Sequence, residues 1–223
     1  MHFENRDEAA RLLARRLEAY RGRHPLVLAI PRGAVPMGAI VADHLDGDLD
    51  VVLVRKLGAP GNPELAIGSV DETGRVFLGY AHELGVSNAY IDREKEAQLD
   101  VIRRRRAMYT PIHPPVDPAG RTVIVLDDGI ATGATMMAAL RAVRDRHPAR
   151  LVAATAVASR ATVRRLAAEA DDVICLDTPE TFMAIGEFFD DFSAVTDEEV
   201  CAILRARNAS STAGASHHRT ADI

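Results

Sequence analysis

A chain of 223 residues with a formal net charge of −5 is long enough for a substantial buried core and carries no broad basic face for nucleic acid. Its two cysteines, Cys175 and Cys201, stand in no metal-ligand spacing and fit a reducing compartment. No apolar run reaches membrane-spanning length, and the polar start lacks the apolar stretch of a signal peptide, so a cytoplasmic protein is expected.

From Asn5 to Tyr20 the pattern predicts an amphipathic helix, with Asn5 and Glu8 placed as a capping box and Leu12, Leu13 and Leu17 at helical spacing. A short apolar run, LVLAI at 26–30, reads as a strand, PRGAVPMG at 31–38 as a turn, and AIVADHL as a helix. DVVLVRKL at 50–57 reads as the next strand. Residues 58–90, rich in Gly, Pro and Asn, are expected to form a mobile loop with two short strand candidates, AIGSV and RVFLGY. A charged helix is predicted from about Ile91 to Tyr109 and is stopped by PIHPP. Beyond it strands and helices alternate: TVIVLDD, a helix over 135–147, LVAATAVAS, a helix to about Ala170, and DVICLD. Units of about thirty residues in this order imply parallel βαβ construction. Residues 208–223 lack apolar periodicity and are expected to be a disordered tail.

The segment VIVLDDGIATGAT, residues 123–135, carries the chemistry. A buried strand delivers Asp127 and Asp128 into a turn that opens a helix. Backbone N–H groups from Ala131 through Thr132, Gly133, Ala134 and Thr135, with the positive end of the helix, suit a phosphate dianion. The two carboxylates can only accept hydrogen bonds and suit a vicinal diol. Phosphate and diol this close together describe a ribose 5-phosphate. Arg32, Arg55 and Lys56 fall where strands end, which is where open parallel sheets bind ligands.

Four hydrophobic residues, two acids and x-x-x-T-G-x-T resemble the signature by which type I phosphoribosyltransferases bind phosphoribosyl pyrophosphate (PRPP). PRGAVPMG resembles the family's first pyrophosphate loop, which often holds a non-proline cis peptide, and Val54-Arg55-Lys56-Leu57 resembles an Arg-Lys pair that contacts PRPP in adenine and orotate enzymes. The likeness covers residues 24–178. It implies an α/β fold, a parallel twisted sheet with flanking helices and a small hood, forming one domain over 1–207. The hood would draw on the N-terminal helix, residues 58–110 and residues 179–207.

The resemblance implies transfer of the phosphoribosyl group to a nitrogenous acceptor with release of pyrophosphate. A PRPP- or nucleotide-sensing regulator on the same fold is the alternative. Catalytic roles would fall to Asp127, Asp128, Lys56 and Arg55, and pyrophosphate would meet Arg32, Gly33, Arg55 and Lys56. Mg²⁺ would be held mainly by substrate oxygens, with no dedicated protein ligands. The expected partners are PRPP and a small-molecule acceptor, with neither nucleic acid nor membrane, and a homodimer is left open. Ala131 stands where 6-oxopurine enzymes usually carry an Asp, which disfavours those bases. Phe182 and Phe188, in a chain with six Phe and no Trp, are candidates for stacking on a flat acceptor. The arginines at 103–106 are expected to complement the dipole of their helix.

Overall fold

The computed structural model describes residues 1–78, 81 and 84–217, without side-chain detail for 64 and 210–217. Five strands, β1 (Leu26–Ala29), β2 (Asp48–Val51), β6 (Thr122–Ile130), β7 (Arg150–Ala158) and β8 (Asp172–Asp177), form a sheet in the order β2-β1-β6-β7-β8. Every pairing in it is parallel. Such strands are covered on both faces, so they read as continuous apolar runs. Val27, Ala29, Ile124, Leu126, Val152 and Ala154 join one core, beneath α1 (Arg6–Arg16) and α2 (Ala34–His44). Leu26, Leu28, Val123, Val125, Leu151 and Ala153 join the other, beneath α4 (Ala134–Arg144) and α5 (Arg160–Leu166).

Two elements begin or end where local chemistry directs. Asn5 caps α1, its Oδ1 accepting from the Glu8 N–H at 3.0 Å, while the Glu8 carboxylate accepts from the Glu4 N–H at 2.7 Å. The predicted helix to Tyr20 ends earlier, at Arg16, and a 3₁₀ turn covers Glu18–Tyr20. The region read as a turn through Gly38 is already helical from Ala34, because Pro36 falls in the first turn, where its missing N–H has no intrahelical acceptor to lose.

The chain expected as one strand over 50–57 splits, with β2 ending at Val51 and β3 (Val54–Ala59) entering a second sheet. There β3 pairs antiparallel with β4 (Asn62–Asp71), and β4 with β5 (Val76–Leu78). The stretch expected to be mobile is thus largely a three-stranded antiparallel sheet, with Leu57, Ile67 and Val70 fully buried. The tip of the second strand candidate, residues 79 and 80, lies outside the described residues. Helix α3 (Asn88–Tyr109), capped by Ser87, packs against β3. Its Tyr90 hydroxyl donates to the Gly58 carbonyl at 3.1 Å. At the other end of the chain α6 runs over Asp197–His217, so the backbone of 208–217 continues a helix where a tail was expected. Residues 218–223 lie outside the described residues.

Candidate active site

The strand order reverses between β1 and β6: β1 leads to β2 on one side, and β6 leads on to β7 and β8 on the other. The crevice beyond such a reversal is the usual ligand site of an open α/β sheet. A cavity of about 440 Å³ occupies it. Arg32, Gly33, Arg55, Lys56, Asp127, Asp128 and all five residues 131–135 line it. Segments a hundred residues apart in the chain are thus brought to one place.

Asp127 and Asp128 form its floor near the end of β6. The Asp127 carboxylate accepts from the Asp128 N–H at 3.0 Å, and the Asp128 carboxylate accepts from Arg6 Nε at 2.8 Å. Burial, reinforced by the neighbouring Asp128 charge, pushes the Asp127 carboxyl well above the usual range. Burial raises Asp128 too, but Arg6 works against it. The two acids therefore differ: one has an arginine partner, and the other faces the cavity without one.

The loop after β1 carries a cis peptide at Pro31-Arg32. Gly33 is needed there for space, since a Cβ on it would lie 2.1 Å from Asp128 Oδ2. Gly133, at φ +79°, supplies the left-handed turn into α4, whose first N–H groups lack intrahelical acceptors. Helix α5 braces this loop: the Thr162 hydroxyl donates to the Ala131 carbonyl at 3.0 Å and Arg165 Nη1 to the Thr132 carbonyl at 3.2 Å. Donors aimed at a helix start and held by a neighbouring helix make an anion cradle.

The cationic wall comes from β3 and α3. Arg55 Nε donates to Gln98 Oε1 at 2.9 Å, and burial together with the nearby Arg105 charge lowers the Arg55 pKa. Arg105 itself lines the cavity, so at least one of the arginines at 103–106, expected to complement the helix dipole, also stands at the site. The Asp197 carboxylate lies 3.5 Å from both Arg105 Nε and Arg32 Nη1, and also accepts from the Tyr109 hydroxyl. One acid at the start of α6 thereby ties two of the cavity's cations to that helix.

Phe182 and Phe188 are not brought to the cavity. Their rings stack on each other, 5.5 Å apart, and Phe188 packs against the core. Ile185 stands at the wall instead, so close to Gly129 that a Cβ there would lie 2.3 Å from its methyl. Arg6 was also missed by sequence reasoning. It stacks 3.8 Å over the Phe192 ring and donates through Nη1 to the Ser193 carbonyl at 2.7 Å, joining the first helix to the acids. No local pattern marks a contact with a residue 122 positions away, although an arginine on an otherwise packing helix is a weak signal.

The sheet order, with paired acids at its reversal, is an α/β fold of parallel strands between helices that holds its cavity at the reversal. The chain belongs to the phosphoribosyl transferase domain family, whose sequence profile matches residues 4–192. It is 38% identical over 216 residues to a Mycobacterium tuberculosis protein named "Putative phosphoribosyl transferase", covering 96% of this chain and 49% of that one. The chain thus spans about half the length of the curated relatives it matches first. Over 71 residues it is 45% identical to the ribose-phosphate pyrophosphokinase of Methanopyrus kandleri, 30% of this chain and 24% of that one. The crystal structure of TT1426 from Thermus thermophilus superposes with a TM-score of 0.81 at 45% identity, covering 93% of this chain and 99% of that one.

Proposed function

We propose that the protein transfers the 5-phosphoribosyl group of PRPP to a nitrogenous small-molecule acceptor, releasing pyrophosphate. The observation that carries this reading is the single cavity that joins an anion cradle at 131–135, two diol acceptors and the cations Arg32, Arg55, Lys56 and Arg105. These are the three recognition tasks that PRPP sets. The 5′-phosphate suits the start of α4, the ribose hydroxyls suit Asp127 and Asp128, and the pyrophosphate suits the cationic wall and the Arg32-Gly33 loop.

In the reaction the C1–oxygen bond to pyrophosphate breaks, the acceptor nitrogen forms its bond to C1, and the acceptor's N–H proton passes to the departing pyrophosphate or to water. Positive charge develops at C1 and negative charge on the leaving group, so fixed cations beside the pyrophosphate lower the barrier. Arg55 and Lys56, on a strand braced by α3, and Arg32, on the β1 loop, hold that charge in place. The floor offers two carboxylates to a diol, and Mg²⁺ would be carried mainly on substrate oxygens, where it would neutralise pyrophosphate charge.

The test is calorimetry with PRPP and Mg²⁺, followed by a screen of nitrogen bases for pyrophosphate release. Binding is expected in the wild type. The Asp127→Asn/Asp128→Asn double variant is expected to bind roughly 100- to 10,000-fold more weakly, because each carboxylate loses a charge-assisted hydrogen bond of about 1.5–3 kcal/mol. No binding of PRPP to the folded wild-type protein would overturn the assignment.

A further inference from the structure

An anion cradle made of backbone works only if its peptide units face the right way. A trans peptide is planar, with its C=O and N–H on opposite sides. Whatever holds the carbonyl of one residue therefore aims the N–H of the next. The Ala131-Thr132 and Thr132-Gly133 peptides are both trans.

Their two carbonyls are held from the same side. Thr162 Oγ1 donates to the Ala131 carbonyl at 3.0 Å, and Arg165 Nη1 donates to the Thr132 carbonyl at 3.2 Å. Both donors sit on α5, and among the described residues none that lines the cavity belongs to that helix. The N–H groups of Thr132 and Gly133 consequently point away from α5, to the side where the cavity lies. Gly133, at φ +79°, sets the left-handed step that lets successive N–H groups converge on one anion.

Thr162 is committed to this contact. Its hydroxyl hydrogen goes to Ala131, its oxygen accepts from the Ser159 hydroxyl at 3.0 Å, and the Ser159 oxygen accepts from the Thr162 N–H at 3.1 Å. Hydroxyls chained in this way polarise one another, and Thr162, 4% exposed, leaves water little access to the carbonyl it holds. The cap of α5 uses only the Thr162 N–H and the Ser159 oxygen, so the Thr162 hydroxyl is surplus to the helix itself. Its methyl also bounds the turn, since a Cβ on Gly133 would lie 3.0 Å from Thr162 Cγ2.

The opposite orientation shows what is at stake. With either peptide turned over, a carbonyl dipole would face the phosphate dianion where an N–H now does, and attraction would become repulsion. Ala131 and Thr132 are exposed and a glycine follows them, so little else resists that turn. We propose that Thr162 and Arg165 are positioning residues for phosphate, pinning two consecutive carbonyls against α5 and thereby aiming the Thr132 and Gly133 N–H groups at the 5′-phosphate. The proposal rests on the reading of 131–135 as the phosphate site.

Ribose 5-phosphate and, separately, pyrophosphate are titrated calorimetrically into the wild type, Thr162→Val, Thr162→Ser and Arg165→Gln. Valine keeps the shape and removes the donor, whereas serine keeps the donor and removes the methyl. Ribose 5-phosphate is expected to bind Thr162→Val at least about tenfold more weakly and Arg165→Gln about threefold more weakly, the arginine contact being exposed and partly screened. Thr162→Ser is expected to stay within about threefold of wild type, and pyrophosphate, met by the cationic wall, to change less than about threefold in every variant. An NMR titration of the wild type with ribose 5-phosphate does not depend on any variant folding: the amide protons of Thr132 and Gly133 are expected to move downfield. Four results would each overturn the proposal: Thr162→Val binding ribose 5-phosphate as wild type does, valine and serine losing affinity equally, pyrophosphate weakened as much as ribose 5-phosphate, or those two amide protons unmoved at saturation. The three results on variants would leave the phosphate site itself standing. No binding of ribose 5-phosphate to the folded wild type would overturn the proposal together with the reading it rests on.

Discussion

Asp127 and Asp128 are neighbours in sequence but not in circumstance. Arg6 offsets the cost of burying Asp128, whereas Asp127 carries its charge at the floor of the cavity beside another carboxylate. The sign of the resulting pH effect follows from its raised folded-state pKa. Such a carboxyl contributes stability below its unfolded pKa and loses it as pH rises through the folded value. The free protein is therefore expected to lose stability as pH rises above the ordinary aspartate range, and Asp127→Asn is expected to remove that loss. At pH 8 the variant should gain roughly 1–3 kcal/mol, the usual cost of an uncompensated buried polar group. For a chain of this size that amounts to at least about 2–4 °C in melting temperature. Melting curves from pH 4 to 9 check this, and parallel curves for the two proteins would show that Asp127 carries no such penalty. A site residue whose removal stabilises the free protein is one kept for its ligand.

At the scale of elements, the second sheet changes what residues 58–90 can do. Their Gly, Pro and Asn content suggests a loop, but β3 and β4 share an antiparallel ladder, irregular only around Gly58, with buried Leu57, Ile67 and Val70, and α3 braces β3 through Gln98 and Tyr90. The amides of Leu57, Gly68 and Val70 are therefore expected to be protected at least about a hundredfold without ligand, an opening cost of roughly 2.7 kcal/mol. PRPP and Mg²⁺ should change that protection by less than about twofold. Rapid exchange that slows on adding PRPP would restore a lid made of this sheet. The strand-turn-helix unit at 123–135 was legible because each part obeys a local rule: an apolar run, paired acids, and a glycine that permits positive φ. The break at Val52-Leu53 was not, since apolar β-branched residues run through it and only the second sheet pulls β3 away. Likewise Arg105 reads as one more charge on a polar helix until β3 docks beside it and turns that face into a cavity wall. Phe182 and Phe188 misled for a related reason, because aromatic content marks a packing surface without saying which side faces a ligand.

Across the whole molecule, a net charge of −5 opposes the approach of a polyphosphate, yet Arg32, Arg55, Lys56 and Arg105 gather at one cavity beside the start of α4. Attraction must therefore be local, acting over the depth of the site against a weakly repelling surface. Salt separates the two. The screening length is about 10 Å at 0.1 M and about 3 Å at 1 M, so added salt relieves distant repulsion first and weakens contact pairs only when they are partly solvated. The cavity is open to solvent and Lys56 and Arg55 are only half-buried, so their contacts belong to the partly solvated kind. Pyrophosphate affinity is expected to fall roughly tenfold between 50 mM and 500 mM potassium chloride, a change of about 1.4 kcal/mol spread over several contacts. Ribose 5-phosphate, with less charge and contacts drawn mainly from backbone N–H groups and carboxylates, should lose less than about threefold over the same range. Lys56→Gln should weaken pyrophosphate binding at low salt and flatten its salt dependence while leaving ribose 5-phosphate unchanged. Competition binding at four or five salt concentrations measures all three slopes. Equal slopes for the two anions would mean that the cationic wall does not meet pyrophosphate, and would move that role to the start of α4.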